Sequence, residues 1–210
     1  MNIAFIGHGN VGGALVRALA RHGHRIVIGV RDGGSASADA LASQLDAVSV
    51  LPAAQAVAGS EMVFLATPFQ AVEDALSGLP LAGRLLVDCT NPVGPGLTHG
   101  LDSRMSGSEQ LQQLLPDAKV LKAFTVYGFE NFDDNRYPGY GELRPGMFFC
   151  GDDAAAKSIL AGLLQELGWE PVDCGGLDTA LQLEHMTLLW IKMARLRGDG
   201  SRFTWARLRR

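Results

Sequence analysis

The sequence predicts an α/β fold: a Rossmann-type doubly wound parallel sheet with helices on both faces and a small C-terminal α/β extension. Three observations carry this. The chain opens on a short apolar run that ends in a glycine-rich turn. Short apolar runs then alternate with helical stretches, at the spacing of repeated βα units. After a long loop rich in aromatic residues, Gly and Pro, two more strands and two more helices follow.

Ile3-Ala4-Phe5-Ile6 is continuously apolar, as a parallel strand covered on both faces requires. From Asn10 to His22, Val11, Ala14, Leu15, Ala18 and Leu19 recur at helical spacing, and Gly23 supplies a stop. Residues 25–29 (RIVIG) read as the second strand. Residues 32–40 read as a loop running into a helix over 37–45. A weaker third strand spans 47–51, with Pro52 starting a short helix. The fourth strand (61–66, EMVFLA) ends at Thr67-Pro68, a helix runs to Ser77, and residues 84–88 (RLLVD) form the fifth. The Pro/Gly loop CTNPVGPG continues neither strand nor helix. A helix is expected over 108–115 and a sixth strand over 119–124, giving strand order 3-2-1-4-5-6. Residues 125–146 show no clear period, and a loop of that length in a compact domain often carries function. Strands over 147–150 and 170–173, with helices over 152–167 and 179–196, complete the chain. The expected division is a dinucleotide-binding domain with an acceptor-pocket loop (1–146) and a small C-terminal subdomain (147–210).

At 210 residues, 47% of them apolar, the chain can bury a core without a metal or disulfide staple. A net charge of −4 gives no general attraction to nucleic acid or anionic membrane. Cys89, Cys150 and Cys174 are far apart and form no CxxC pair, so reduced thiols are expected and a zinc site is not. No basic segment precedes an apolar stretch at the N-terminus, and no run reaches the ~18 apolar residues of a membrane span. The expectation is a soluble cytoplasmic protein without nucleic-acid or membrane partners.

Gly7-His8-Gly9-Asn10-Val11-Gly12 matches GxGxxG. The first glycine permits the tight turn, the second lets backbone approach a pyrophosphate, and the third lets helix and strand pack closely. The helix N-terminus adds unpaired N–H groups and partial positive charge. The motif follows a strand and opens a helix, which is the context that confirms it. At the end of the second strand an NAD site places an acid, whereas this chain has Val30-Arg31. Arg31 can stack on adenine and pair with a 2′-phosphate, which favours NADP. Asp32 follows, as a ribose partner or a partner for Arg31. Thr67, Pro68 and Phe69, and then Asn91, Pro92 and Val93, stand at carboxyl ends of strands, where such sheets bind ligands.

With these loops in place the chain resembles the deazaflavin-dependent NADP oxidoreductase family, whose members pass hydride between NADPH and 8-hydroxy-5-deazaflavin. The matching stretches are MNIAFIGHGNVGGALVRALARHGHRIVIGVRD, VFLATPFQAVEDAL, LLVDCTNPVG, LPDAKVLKAF and the segment from FFCGDD to HMTLLWI. The CGDD run, its helix and PVDCGGL are the most specific. The resemblance implies that His8, Gly9, Asn10 and Val11 contact the phosphates and Arg31 the 2′-phosphate. It also implies that Pro68, Phe69 and Val93 lie near ribose or nicotinamide. Two departures stand out: Val30 replaces a Ser or Thr, removing a hydroxyl donor, and Thr125 replaces the asparagine of KAFN.

No nucleophile–His–acid set appears, and hydride transfer between two bound cofactors chiefly needs alignment and exclusion of water. No catalytic residue is therefore assigned. His99 and His185 are candidate proton donors, with plainer readings as a loop residue and as a polar position on a buried helix. Asp88 is expected to fix the loop that follows it. Tyr127, Phe129, Phe132, Tyr137 and Tyr140 are expected either to line the acceptor pocket or to pack the loop against the C-terminal unit. Arg136 and Arg144 are placed to meet an anionic tail. Trp190 and Ile191, spaced with Leu183, Met186 and Thr187, suit core or a homodimer interface. The leading function is an NADP(H)-dependent oxidoreductase with a small-molecule deazaflavin or flavin-like acceptor. The alternative is a non-catalytic NADP(H)-binding sensor or regulatory module.

Overall fold

Because the first strands are apolar on both faces, they can sit only in the middle of a covered sheet. The computed structural model describes residues 1–31 and 33–210. Its elements are β1 (Asn2–Ile6), α1 (Asn10–Arg21), β2 (Arg25–Val30), α2 (Ala36–Ala42), β3 (Val48–Pro52), α3 (Ala53–Ala58), β4 (Met62–Leu65) and α4 (Val72–Leu76). There follow β5 (Leu85–Asp88), α5 (Gly107–Leu114), β6 (Lys119–Lys122), α6 (Glu130–Asp133), β7 (Gly146–Gly151), α7 (Ala154–Glu166), β8 (Glu170–Asp173) and α8 (Ala180–Ile191). The strands form one sheet in the order β3-β2-β1-β4-β5-β6-β7-β8, so the expected six-strand order is present and two strands extend it. Every residue of β4 and β5 is buried.

The first six strands are parallel, whereas β7 runs antiparallel to β6, with Leu121 opposite Gly151 and Lys122 opposite Cys150. The reason is the connection. Among the described residues the connection holds as α-helix only the four residues of α6, too few to carry the chain back along the sheet, so it re-enters from the end at which it left. β8 then pairs parallel to β7 through α7. The CGDD run accounts for this join: Asp153 caps α7 by accepting from Ala156 N–H at 2.7 Å, and Asp152 accepts from Leu177 N–H at 2.9 Å.

Three sequence expectations need correction. β6 stops at Lys122 rather than Phe124, because Phe124 adopts a left-handed backbone (φ 53°) that a strand cannot contain. The loop over 125–146 is not structureless; it holds α6 and a 3-10 turn at Pro138–Tyr140. The last helix ends as α-helix at Ile191 and widens into a π-helical turn over Lys192–Leu196.

The core is tied together by aromatic rings. Phe5 stacks on Phe64 at 4.8 Å between centroids, Phe64 meets Phe124, Phe124 meets Phe132 edge-on, and Phe132 meets Trp169. Tyr127 stacks on Trp169 at 5.7 Å, and its hydroxyl donates to Gly146 O and accepts from Trp205 N–H. Among the described residues no helix is long and apolar enough to cross a membrane.

Candidate dinucleotide site

The glycine loop leaves β1 at the point where the strand order reverses, between β1 and β4. Gly7 has φ +98°, and a Cβ there would sit 2.6 Å from the carbonyl of Ala66 at the end of β4. A Cβ on Gly12 would lie 2.2 Å from Gly7 O. These two positions therefore hold the turn closed against β4 and α1. Gly9 is different: it is exposed, and a Cβ there would meet nothing within 4 Å. His8 and Val11 are half-buried around that opening, and Asn10 is exposed.

Three observations fit a bound pyrophosphate. Open space lies over Gly9. The first turn of α1 has no side-chain cap and no acidic residue, so its N–H groups keep their attraction for an anion. Finally, the buried Thr67 Oγ1, beside Gly7, has no hydrogen-bond partner among the described residues. A buried hydroxyl without a partner is a cost that a ligand oxygen would remove.

At the end of β2, Val30 is half-buried and Arg31 exposed. The Arg31 guanidinium pairs with Asp74 of α4 at 2.7 Å. Asp32 lies outside the described residues. Sequence reasoning missed two hydroxyls on this side: His8 Nε2 lies 2.9 Å from Ser37 Oγ and 3.1 Å from Ser35 Oγ. Ser35 also caps α2 by accepting from Ala38 N–H. A Ser at the entrance to a helix was a usable signal for the cap, though not for its contact with His8.

At the other end, Pro68 is exposed and Phe69 half-buried after β4, while Asn91, Pro92 and Val93 follow β5. Phe69 lies across Gly107, where a Cβ would come within 2.6 Å of its ring. Val93 bridges to His99, and Gly94 N–H donates to Thr98 O, making a tight reversal of residues 93–99. Asn91 is fixed by Thr125: the Thr125 hydroxyl donates to Asn91 Oδ1, and Asn91 Nδ2 donates to Thr125 O at 3.4 Å. Thr187 of α8 donates to the same carbonyl at 2.8 Å. The left-handed turn at Phe124 aims Thr125 this way, so the departure at Thr125 has a definite structural role.

Behind these loops lies a fully buried polar cluster. Lys122 Nζ is 3.0 Å from Asp88 Oδ2 and 2.9 Å from Glu184 Oε1, and donates to Thr90 O at 2.6 Å. Asp88 also accepts from Thr90 N–H, Thr90 Oγ1 and Ser108 Oγ, which fixes the loop after β5 as expected. Glu184 accepts from Gly107 N–H and from His99 Nε2 at 2.8 Å. Since His99 Nδ1 accepts from Leu101 and Ser103 N–H groups, Nε2 carries the hydrogen. His99 is thus committed to structure, and His185 stacks on it at 5.5 Å from an exposed position. Burial pulls the Lys122 ammonium down, but Asp88 and Glu184 outweigh it and raise it above its ordinary 10.5. Burial also raises the Cys89 thiol and pushes Cys150 up to about 12, so neither is poised as a nucleophile.

The aromatics of the long loop divide. Tyr127 and Phe132 are buried in the core. Tyr137 and Tyr140 instead line a cavity of about 340 Å³ with Leu143, Arg144, Arg202 and Phe203. Arg136 pairs with Asp134 at 2.9 Å. Since β1, β2, β4 and β5 are parallel neighbours, all the residues expected from sequence after these strands fall on one edge of the sheet.

The chain is similar in sequence and fold to known proteins. The model of the family described as NADP oxidoreductase coenzyme F420-dependent matches residues 2–92. A crystal structure of a candidate F420-dependent NADP reductase from Arthrobacter sp. FB24 superposes with a TM-score of 0.85 at 32% identity, covering 100% of both chains. The F420-dependent NADP reductase of Methanothermobacter marburgensis is 28% identical over 97% of this chain and 98% of its own. Metalloreductase STEAP3 of Rattus norvegicus is 28% identical over 89% of this chain, which spans only 36% of that protein.

Proposed function

Because the chain belongs to the family of coenzyme F420-dependent NADP oxidoreductases, and so is an NADPH-dependent reductase, we propose that it passes hydride between NADP(H) and a flat deazaflavin or flavin-like acceptor. The observation that carries this reading is the open cradle over Gly9 with Arg31, instead of an acid, at the end of β2. When bound, the reduced nicotinamide supplies the hydride, and the acceptor ring takes it up with one proton from water.

The chain's own residues bind and align. The backbone from His8 to Gly12 and the start of α1 hold the pyrophosphate, with the Thr67 hydroxyl as a further donor. Arg31 takes the 2′-phosphate, and Ser35 and Ser37 offer the hydroxyls that Val30 lacks. Asn91, held from one side by Thr125, keeps an N–H for the nicotinamide end, where Phe69, Pro92 and Val93 form apolar walls that exclude water. The cavity bounded by Tyr137, Tyr140, Arg144 and Arg202 shares no lining residue with that nicotinamide end, so it is not assigned to the acceptor ring. A homodimer through the C-terminal unit belongs to the same proposal, supported by the exposure of Leu189 and Leu196.

Mixing the protein with NADPH and either a deazaflavin or FMN, and following the near-ultraviolet absorbance of reduced nicotinamide, tests the acceptor. Decay with the deazaflavin is expected. Tight NADPH binding with no oxidation by any flat acceptor would overturn the assignment. Separately, Arg31→Ala should weaken NADPH binding by about 10- to 100-fold, the worth of a charge-assisted contact, while NADH loses much less. Equal losses for the two cofactors would remove the case for NADP.

A further inference from the structure

The Arg31–Asp74 ion pair has a position that the NADP reading alone does not explain. Arg31 follows β2 and Asp74 lies in α4, which follows β4, and these two strands flank β1 on opposite sides. Strands two apart are separated by about 9–10 Å. The pair therefore reaches over the exit of β1, across the edge where the glycine loop opens. Both side chains are largely exposed, at 70% and 72%, so the contact is held by charge rather than by packing and can exchange.

We propose that Asp74 is a specificity-determining residue: its carboxylate competes with the cofactor's 2′-phosphate for Arg31. This rests on Arg31 being the 2′-phosphate partner. Without cofactor, Asp74 holds the guanidinium across the cleft. A cofactor bearing the phosphate draws Arg31 away, and one without it leaves the pair in place. Asp74 thereby lowers the affinity for NADPH more than for NADH, because only NADPH must break the pair and bring a second anion near the carboxylate. The exchange makes and breaks no covalent bond.

The test is a titration of wild type, Asp74→Asn, Arg31→Ala and the double variant with NADPH and with NADH, followed by nicotinamide fluorescence. Asp74→Asn should raise the NADPH-over-NADH preference by about two- to fivefold, as an exposed ion pair of this kind allows. The gain should shrink with added salt and disappear in the Arg31→Ala background, since the two residues act on each other. An unchanged preference in Asp74→Asn, with wild type still favouring NADPH and Arg31→Ala abolishing that preference, overturns the role of Asp74 and leaves the NADP reading standing. A lowered preference overturns it too, showing that Asp74 orients Arg31 for the phosphate instead of competing. If Arg31→Ala leaves the preference for NADPH intact, the NADP reading fails and the proposal fails with it.

Discussion

Lys122→Met is expected to destabilise the protein by about 3–5 kcal/mol, a large share of the ~5–15 kcal/mol typical of a folded domain. The lysine is fully buried and its ammonium bridges Asp88 and Glu184, both also buried. Methionine matches its length but leaves two carboxylates facing each other without an ammonium, and leaves Thr90 O without a donor. Urea unfolding at constant slope should report the loss as a lower midpoint. The pH dependence has a definite sign. Because the folded state raises the Lys122 ammonium above 10.5, its contribution is fully present below that value and is lost only as pH climbs through the raised one. The difference between wild type and variant should therefore be flat across neutral pH and shrink only in strong alkali. A difference that vanishes near neutrality would show that the cluster is not charged as described.

The second large effect is expected at the glycine loop. Gly12→Ala places a Cβ at 2.2 Å from Gly7 O, an overlap that only a backbone shift can relieve. Overpacking of this kind costs about 1–3 kcal/mol. The shift also moves the N–H groups that are to meet the pyrophosphate, and losing one such charge-assisted bond weakens binding by about 10- to 100-fold. Gly9→Ala is the control. Its Cβ meets no protein atom, so thermal stability should hold while NADPH binding falls. Calorimetry and NADPH titration of the two variants check this, and the idea is wrong if Gly9→Ala binds NADPH like wild type.

The contrast between those two sites shows what the sequence made legible. GHGNVG, the apolar runs around it and RIVIG are each local patterns, and the strand order follows from their alternation. The site loops after β4 and β5 could be placed because each ends its strand with Pro or Asn within three residues. Lys122 could not be placed. It stands in KVLK, whose two lysines look alike, yet Lys119 is exposed and Lys122 has no exposure at all. Only the register that sets Asp88 beside Lys122, and the arrival of Glu184 from α8, decides between them. Asp74 was hidden for the same reason, since its partner lies two strands away. The aromatic residues of the long loop carry no periodicity. Which of them are core and which line a cavity depends on Trp169 and on residues 202–204, all far along the chain.

The run of rings from Phe5 to Trp169 bears on how the protein is made. A ribosome emits the chain from its N-terminal end, so the strands around the glycine loop are available long before their last neighbours. Phe132 and Tyr127 cannot meet their full set of ring contacts until Trp169 has emerged, and the Tyr127 hydroxyl must wait for Trp205 as well. Until then the far side of the nascent sheet exposes apolar surface and an unpaired edge at β6. The growing polypeptide thus passes through a stage in which its nucleotide cradle can form while its core is still open.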